Sequence, residues 1–349
     1  MCVATGVDVT GRSVTAVSDY VRERAALGFQ WPTIDPFLFC VHHLDTYPVG
    51  TAEHGPDPAL LAGRDIGMDF TARDGWRMYH GDVVPGFPAH PHRGFETVTF
   101  VRQGFIDHSD SLGYAMRFGR GDVQWMTAGR GIVHAEMFPL LDRDHPNPAE
   151  LFQIWLNLPA RDKLVEPYFT MLWGEDLVHH RAGISPHEAR VTAIAGPIAG
   201  QTPPSPPPNS WAARAEADLA IWHIDLDADA RLSLPSTRDE HTVRTLYCYE
   251  GVTVIGDEAV EAPTAVVLAA SVEIPLAGGP NGSQCLLLQG RPIGEPVAQQ
   301  GPFVMNTRAE LVEAFDEYRR TQFGGWPWDR VDPVHGPQPE RIARSPESS

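Results

Sequence analysis

Two short patterns constrain this chain more than anything else in it: His90-Pro91-His92 and, 42 residues after His92, His134-Ala135-Glu136. Side chains on a β-strand alternate between faces, so residues two apart point the same way. His90 and His92 therefore share a face if they lie on a strand, and so do His134 and Glu136. Two such strands turned into one barrel assemble a site of three imidazoles and one carboxylate. That donor set leaves coordination positions open for water or substrate. It suits Fe, Mn, Ni, Co or Cu better than a closed structural zinc site. A lone His-x-His pair is a weak signal; two pairs of matching parity with a glycine turn between them strengthen it, together with the wording around them.

The surrounding words sharpen this. His90-Pro-His-Arg-Gly-Phe-Glu-Thr-Val-Thr99 and Gly121-Asp-Val-Gln-Trp-Met-Thr-Ala-Gly-Arg-Gly-Ile-Val-His-Ala-Glu-Met137 closely resemble the two signature segments of the pirin family. Asp35-Pro-Phe-Leu38 resembles that family's opening, and Gly301-Pro-Phe-Val-Met-Asn-Thr307 and Phe323-Gly-Gly-Trp-Pro-Trp328 resemble its C-terminal segments. The resemblance covers roughly residues 33–330. It implies an all-β fold of two tandem cupin (jelly-roll type) β-barrels with a C-terminal helix. It also implies one metal ion, Fe(II) foremost with Mn, Ni, Co, Cu or Zn as alternatives, in the N-terminal barrel. Carried over position by position, the ligands fall on His90, His92, His134 and Glu136.

The expected division is an N-terminal extension over 1–33, a metal-binding barrel over 34–165, a barrel without metal over 166–300, and a helix and tail over 301–349. Residues Ser13 to Leu27 read as an amphipathic helix. Thr97–Val101 and Phe152–Leu156 read as strands of the first barrel, and Ala220–Leu226, Thr245–Tyr249 and Gln284–Gln289 as strands of the second. The segment from Val49 to Gly86 looks longer than its counterpart in typical pirins and is expected at the barrel mouth. Thr202 to Asn209 holds five prolines, which cannot donate in a sheet, and reads as an exposed loop. Thr307-Arg-Ala-Glu310 is a capping box opening a helix with the apolar stripe Leu311, Phe315, Tyr318, ended by Gly324-Gly325 and Pro327. The last fifteen or so residues read as disordered.

Other polar residues are weighed against the site. Glu96 has the parity of His90 and His92 and sits where cupins generally place a carboxylate ligand. In pirins that ligand matches Glu136, so Glu96 is expected either beside the imidazoles, orienting them, or as a pocket residue. His223 and His241 belong to no ligand pair and read as structural. His42-His43 and His179-His180 are tandem pairs that point to opposite faces on a strand and read as loop residues. His108 reads as part of a hairpin connection. Phe95, Phe100, Trp125 and Met126 read as core or pocket wall.

Net charge of −18 argues against nucleic acid or an anionic membrane as a direct partner. The single lysine, Lys163, reads as a compositional bias. Four cysteines without CxxC spacing read as reduced, mostly buried thiols. With no signal-like N-terminus and no long apolar run, the expected location is the cytoplasm. By resemblance, the expected activity is a quercetin 2,3-dioxygenase-like cleavage of a small aromatic flavonol with dioxygen, with Glu136 as catalytic base. The competing reading is a redox- or metal-sensing regulator that binds a protein partner.

Overall fold

A computed structural model describes residues 19–346 of the chain. The first part of the chain forms β1 (Val21–Ala26), β2 (Phe37–Tyr47), β3 (Gly86–His92), β4 (Phe95–Gln103), β5 (Phe105–Asp110), β6 (Ala115–Gly119), β7 (Asp122–Thr127), β8 (Ile132–Met137), β9 (Asn147–Asn157) and β10 (Tyr168–Leu172). There follow β11 (Val178–Ile184), β12 (His187–Ala195), β13 (Ala220–Leu226), β14 (Arg231–Leu234), β15 (Val243–Ile255), β16 (Glu258–Glu261), β17 (Thr264–Leu268) and β18 (Ile274–Gly290). The C-terminal part adds the hairpin β19 (Ala298–Gln300) and β20 (Phe303–Met305), the helix α1 (Arg308–Thr321) and β21 (Ile342–Arg344). The strands expected from sequence all lie within these elements. The chain thus forms two cupin domains and a C-terminal helix.

The first barrel is two facing five-stranded sheets, ordered β10-β7-β4-β9-β2 and β21-β6-β5-β8-β3. The second is a nine-stranded sheet with the path β1-β17-β15-β18-β13-β12-β11, to which β14 and β16 add. All the strand pairs between them are antiparallel.

Parity along β4 and β9 decides how the barrels meet. Val98, Phe100, Phe152, Ile154 and Leu156 point outward into one apolar cluster with Ile221, Tyr247, Leu286 and Leu288 of the second barrel. The alternate residues, Thr99, Leu151, Gln153 and Trp155, point into the first barrel's cavity. A sheet buried on both faces explains why the first seven residues of β4 are all buried. At the edge of this interface Arg102 bridges the barrels, donating to Glu150 (2.7 Å), Gln284 (2.6 Å) and the Tyr249 hydroxyl (3.0 Å).

Both ends of the chain depart from expectation. Residues 21–26, assigned above to a helix, are a strand pairing with β17 of the second barrel; residues 13–18 lie outside the described part. Only Val21 of this strand is buried, as an edge strand requires, and six residues of helix would leave β17 without that neighbour. Of the tail expected to be disordered, residues 335–346 are placed against the first barrel; residues 347–349 lie outside the described part. The His335 amide donates to Asp107 (2.7 Å), Arg117 donates to the Gln338 carbonyl, Arg341 pairs with Asp122 and Glu175, and β21 pairs with β6. Its composition is polar, yet fully buried Asp107 and Arg117 need those partners.

Tyr168–Leu172 pairs with β7, so the first barrel's sheet runs past the boundary expected at 165. The proline-rich segment forms no strand, but Pro203 and Pro207 are buried, so it is not a wholly exposed loop. His42-His43 and His179-His180 lie on β2 and β11 rather than on loops, because their neighbours complete regular ladders. Cys40, Cys248 and Cys285 are free and buried, and α1 carries the expected capping box. Among the described residues, no helix is long and apolar enough to cross a membrane.

A chain ending at residue 334 loses the tail's bonds to Asp107, Arg117 and Asp122. Hydrogen bonds to charged groups contribute about 1.5–3 kcal/mol each. Such truncation is expected to lower the melting midpoint by about 5–10 °C in calorimetry; an unchanged midpoint would show that these contacts do not stabilise the barrel.

Candidate metal centre

β3 and β8 are neighbours, and their register sets His90 directly opposite His134 and His92 opposite Ile132. A bulge between Phe87 and His90 adds a residue to β3, so Phe87, opposite Glu136, also faces the cavity. The ring centroids of His90 and His134 are 4.4 Å apart, and His92 lies 4.8 Å from each. The ligand atoms of the three histidines lie within 4.8 Å of one another.

His92 is 3% exposed and His134 0%. Burial pushes the pKa of both well below the ordinary 6.5, and that of His90 down to about 4. All three rings are therefore neutral near pH 7 and carry the lone pairs a metal needs. The Nδ1 of His90 is 2.8 Å from the Pro88 carbonyl, an arrangement that places its N–H there and directs the Nε2 lone pair elsewhere. Both nitrogens of His134 and the Nδ1 of His92 are buried without a hydrogen-bond partner. Such atoms are costly unless something else takes them up. Three convergent neutral imidazoles with unpartnered nitrogens fit a transition metal.

Glu136 shares the cavity but not the cluster. Its Oε1 is 3.0 Å from the Thr99 hydroxyl and its Oε2 accepts from Gln153 Nε2 at 3.1 Å. Burial raises its pKa, while His108 and the bonds from Thr99 and Gln153 pull it down. The cavity, of about 570 Å³, is walled by His90, His92 and Glu136 on one sheet and Phe39, His43 and Trp155 on the other. Gly67, Phe70 and His80 close its rim. They belong to the segment from Val49 to Gly86, which stands where it was expected.

Glu96 is a correction. It faces away from the imidazoles and is buried toward the second barrel, where its carboxylate accepts from Thr127 (2.6 Å) and Ser210 (2.5 Å). The turn at Arg93-Gly94 between β3 and β4 breaks the alternation that parity counting assumed. Gly94 has φ +84, and a Cβ there would meet the Val304 carbonyl at 2.0 Å. Lys163, read as a compositional accident, is buried and donates to the Gly94 carbonyl (2.8 Å) and Asn157 (2.7 Å), clamping this turn.

His108 is the second correction. It lies on β5, fully buried and directly opposite Glu136, with its ring 5.5 Å from that of His134 and its Nε2 3.0 Å from Asp110. The same-parity pair His108 and Asp110 was the available signal. Nothing local in the sequence marked Thr99 or Gln153, and His43 was noted only as half of a tandem pair. His223 is buried against the Tyr249 hydroxyl (2.6 Å), a structural role as read.

Two cupin domains, the first with a cluster of three histidines beside an aromatic-walled cavity, define the class of protein. The family description Pirin matches residues 21–156, and Pirin C-terminal cupin domain matches residues 221–324. The chain belongs to the pirin family. A Vibrio cholerae relative, provisionally named a quercetin 2,3-dioxygenase, is 35% identical over 314 residues, 88% of this chain and 94% of its own. A pirin-like protein of Caulobacter vibrioides is 37% identical over 249 residues, 69% of this chain and 82% of its own. The crystal structure of a quercetin 2,3-dioxygenase from Acinetobacter baumannii has a TM-score of 0.66 and 26% identity, covering 88% of this chain and 96% of that one.

Burial raises the Glu96 carboxyl from an ordinary 4.5 to about 7, against the bonds from Ser210 and Thr127. A raised folded pKa means that the folded state holds the proton longer. This contribution is full below about pH 4.5 and is lost as pH rises through about 7, on the order of 3 kcal/mol in all. Glu96→Gln cannot titrate, and the hydroxyls can turn to accept from its amide. Its unfolding midpoint in urea, measured from pH 5 to 8, should fall less with pH than that of the parent. Parallel curves would contradict the assignment.

Proposed function

We propose that His90, His92, His134 and Glu136 hold one divalent transition metal, Fe(II) foremost, and that the chain is a dioxygenase acting on flavonol-type aromatic substrates such as quercetin. The observation that carries the reading is the cluster of three neutral imidazoles beside an aromatic-walled cavity, two of them, His92 and His134, buried with unpartnered nitrogens. The names borne by the Vibrio and Acinetobacter proteins support the substrate class.

When bound, the metal supplies positive charge and redox chemistry at the cavity floor. The protein's own residues do the rest. Phe39, Phe87 and Trp155 present ring faces and edges that hold a flat aromatic molecule and exclude water. Glu136, between Thr99 and Gln153 in the same cavity as His90 and His92, receives the proton of a substrate hydroxyl at a carboxylate oxygen. In a flavonol the outcome is ring opening by dioxygen with release of carbon monoxide.

Elemental analysis of protein reconstituted anaerobically with Fe(II) is expected to find one ion per chain. His134→Ala should weaken retention by more than about a hundredfold, beyond what loss of an outer contact does. Glu136→Gln should retain metal less well and lose activity, and Glu96→Gln should keep its metal. Two ions per chain, or a Glu96→Gln protein emptied of metal while Glu136→Gln stays loaded, would overturn this ligand set.

Oxygen uptake and carbon monoxide release with quercetin test the activity. If protein loaded with each of Fe, Mn, Ni, Co and Cu consumes no oxygen with several flavonols, the dioxygenase reading falls. The regulator that binds a protein partner then takes its place.

A further inference from the structure

One further histidine reaches the cavity from the wall across from the imidazole cluster. His43 lies on β2 beside Phe39 and Val41 and is buried. Its Nδ1 is 2.8 Å from the Tyr79 hydroxyl. That hydroxyl donates to Asp45 Oδ2 at 2.6 Å, and Asp45 Oδ1 accepts from Arg77 at 3.0 Å. The chain of bonds has one consistent proton order. With a guanidinium on one oxygen, Asp45 is the acceptor on the other, so Tyr79 spends its single proton there. The Tyr79 oxygen must then accept from His43 Nδ1–H. Burial and the Arg77 charge keep His43 neutral, with its pKa down to about 3. A neutral imidazole carries one N–H, so Nε2 is left with a lone pair. Among the described residues, Nε2 has no hydrogen-bond partner.

The chain strains its backbone to build this. Tyr79 is fully buried at φ +57, a left-handed conformation that bulky side chains rarely adopt. Paired backbone bonds to Asp69, 3.0 and 2.9 Å, hold it there. Ring packing against His43 and Phe87 would be served as well by phenylalanine; the two bonds at the hydroxyl would not. Phe87 stands between the two ends of the cavity, its ring 5.9 Å from that of His43 and 6.3 Å from that of His90. A flat ligand lying over Phe87 has one end at the imidazole cluster and the other at His43.

We propose that His43, oriented by Tyr79 and Asp45, accepts a hydrogen bond from a hydroxyl on the aromatic ligand and so selects hydroxylated aromatics over their ethers. His43 is thus a specificity residue that touches the ligand, and Tyr79 and Asp45 are positioning residues. The proposal rests on the reading that this cavity takes an aromatic substrate.

The test uses full-length, metal-free protein and two probes of the same ring system, 2-naphthol and 2-methoxynaphthalene, titrated by fluorescence. Wild-type protein should bind the naphthol about five- to tenfold more tightly than the ether, the ratio one net hydrogen bond gives. In His43→Phe that ratio should fall to about one with ether affinity kept. Tyr79→Phe preserves the ring but frees the imidazole to take either tautomer, so the ratio should fall part of the way. It also serves if His43→Phe does not fold. An equal ratio in wild type and His43→Phe, or no binding of either probe to wild type, overturns the proposal. No metal or turnover is involved, so a His43-dependent ratio without flavonol cleavage would defeat the dioxygenase reading alone. Flavonol cleavage with a His43-independent ratio would defeat this proposal alone.

Discussion

The structure depends on one sheet being buried on both sides. The sheet containing β2, β4 and β9 presents Val98, Phe100, Phe152, Ile154 and Leu156 to the second barrel and Thr99, Gln153 and Trp155 to the cavity. Because alternation is strict, neither face can shift by one residue without inverting both. Docking of the barrels and placement of the cavity wall are thus one event. The second barrel acts as a backing plate that holds the register of the wall opposite the imidazoles, although its own residues line none of that cavity.

Against that rigid wall the histidine cluster is a local deficit. His92 and His134 are desolvated with nitrogens left unpartnered, and Glu136 is buried with Thr99 and Gln153 as its hydrogen-bond partners. Each such group costs free energy in the folded state. Surrounding pairs that are fully satisfied offset it: Arg117 with Asp107 at 2.6 Å through two bonds, and Lys163 tied to Gly94 and Asn157. Such over-determined surroundings keep ligands in place in a way that flexible loops do not.

The ends of the chain reinforce the same design by crossing over. β1, from the start of the described chain, completes the second barrel, and β21, from its end, completes the first. Each covers a sheet edge that would otherwise offer unpaired backbone groups to another chain. The crossing also ties the barrels together beyond their apolar interface, so neither is a self-contained unit in this chain.

The motifs alone determined a good deal. Strand alternation put His90 with His92 and His134 with Glu136, and the capping box opened α1, because these are local geometric facts. The helix ends at Gln322, a left-handed cap ahead of the glycines expected to stop it. The tertiary structure decided what crosses from one strand to another. It sent Glu96 away from the imidazoles, because the Arg93-Gly94 turn resets an alternation that holds only within an unbroken strand. It set His108 opposite Glu136 and ran Arg77, Asp45, Tyr79 and His43 into one chain of bonds. It turned two weakly patterned termini into strands. Pairing satisfies backbone groups wherever an edge is open, and which edge is open depends on the whole fold, not on the residues that fill it.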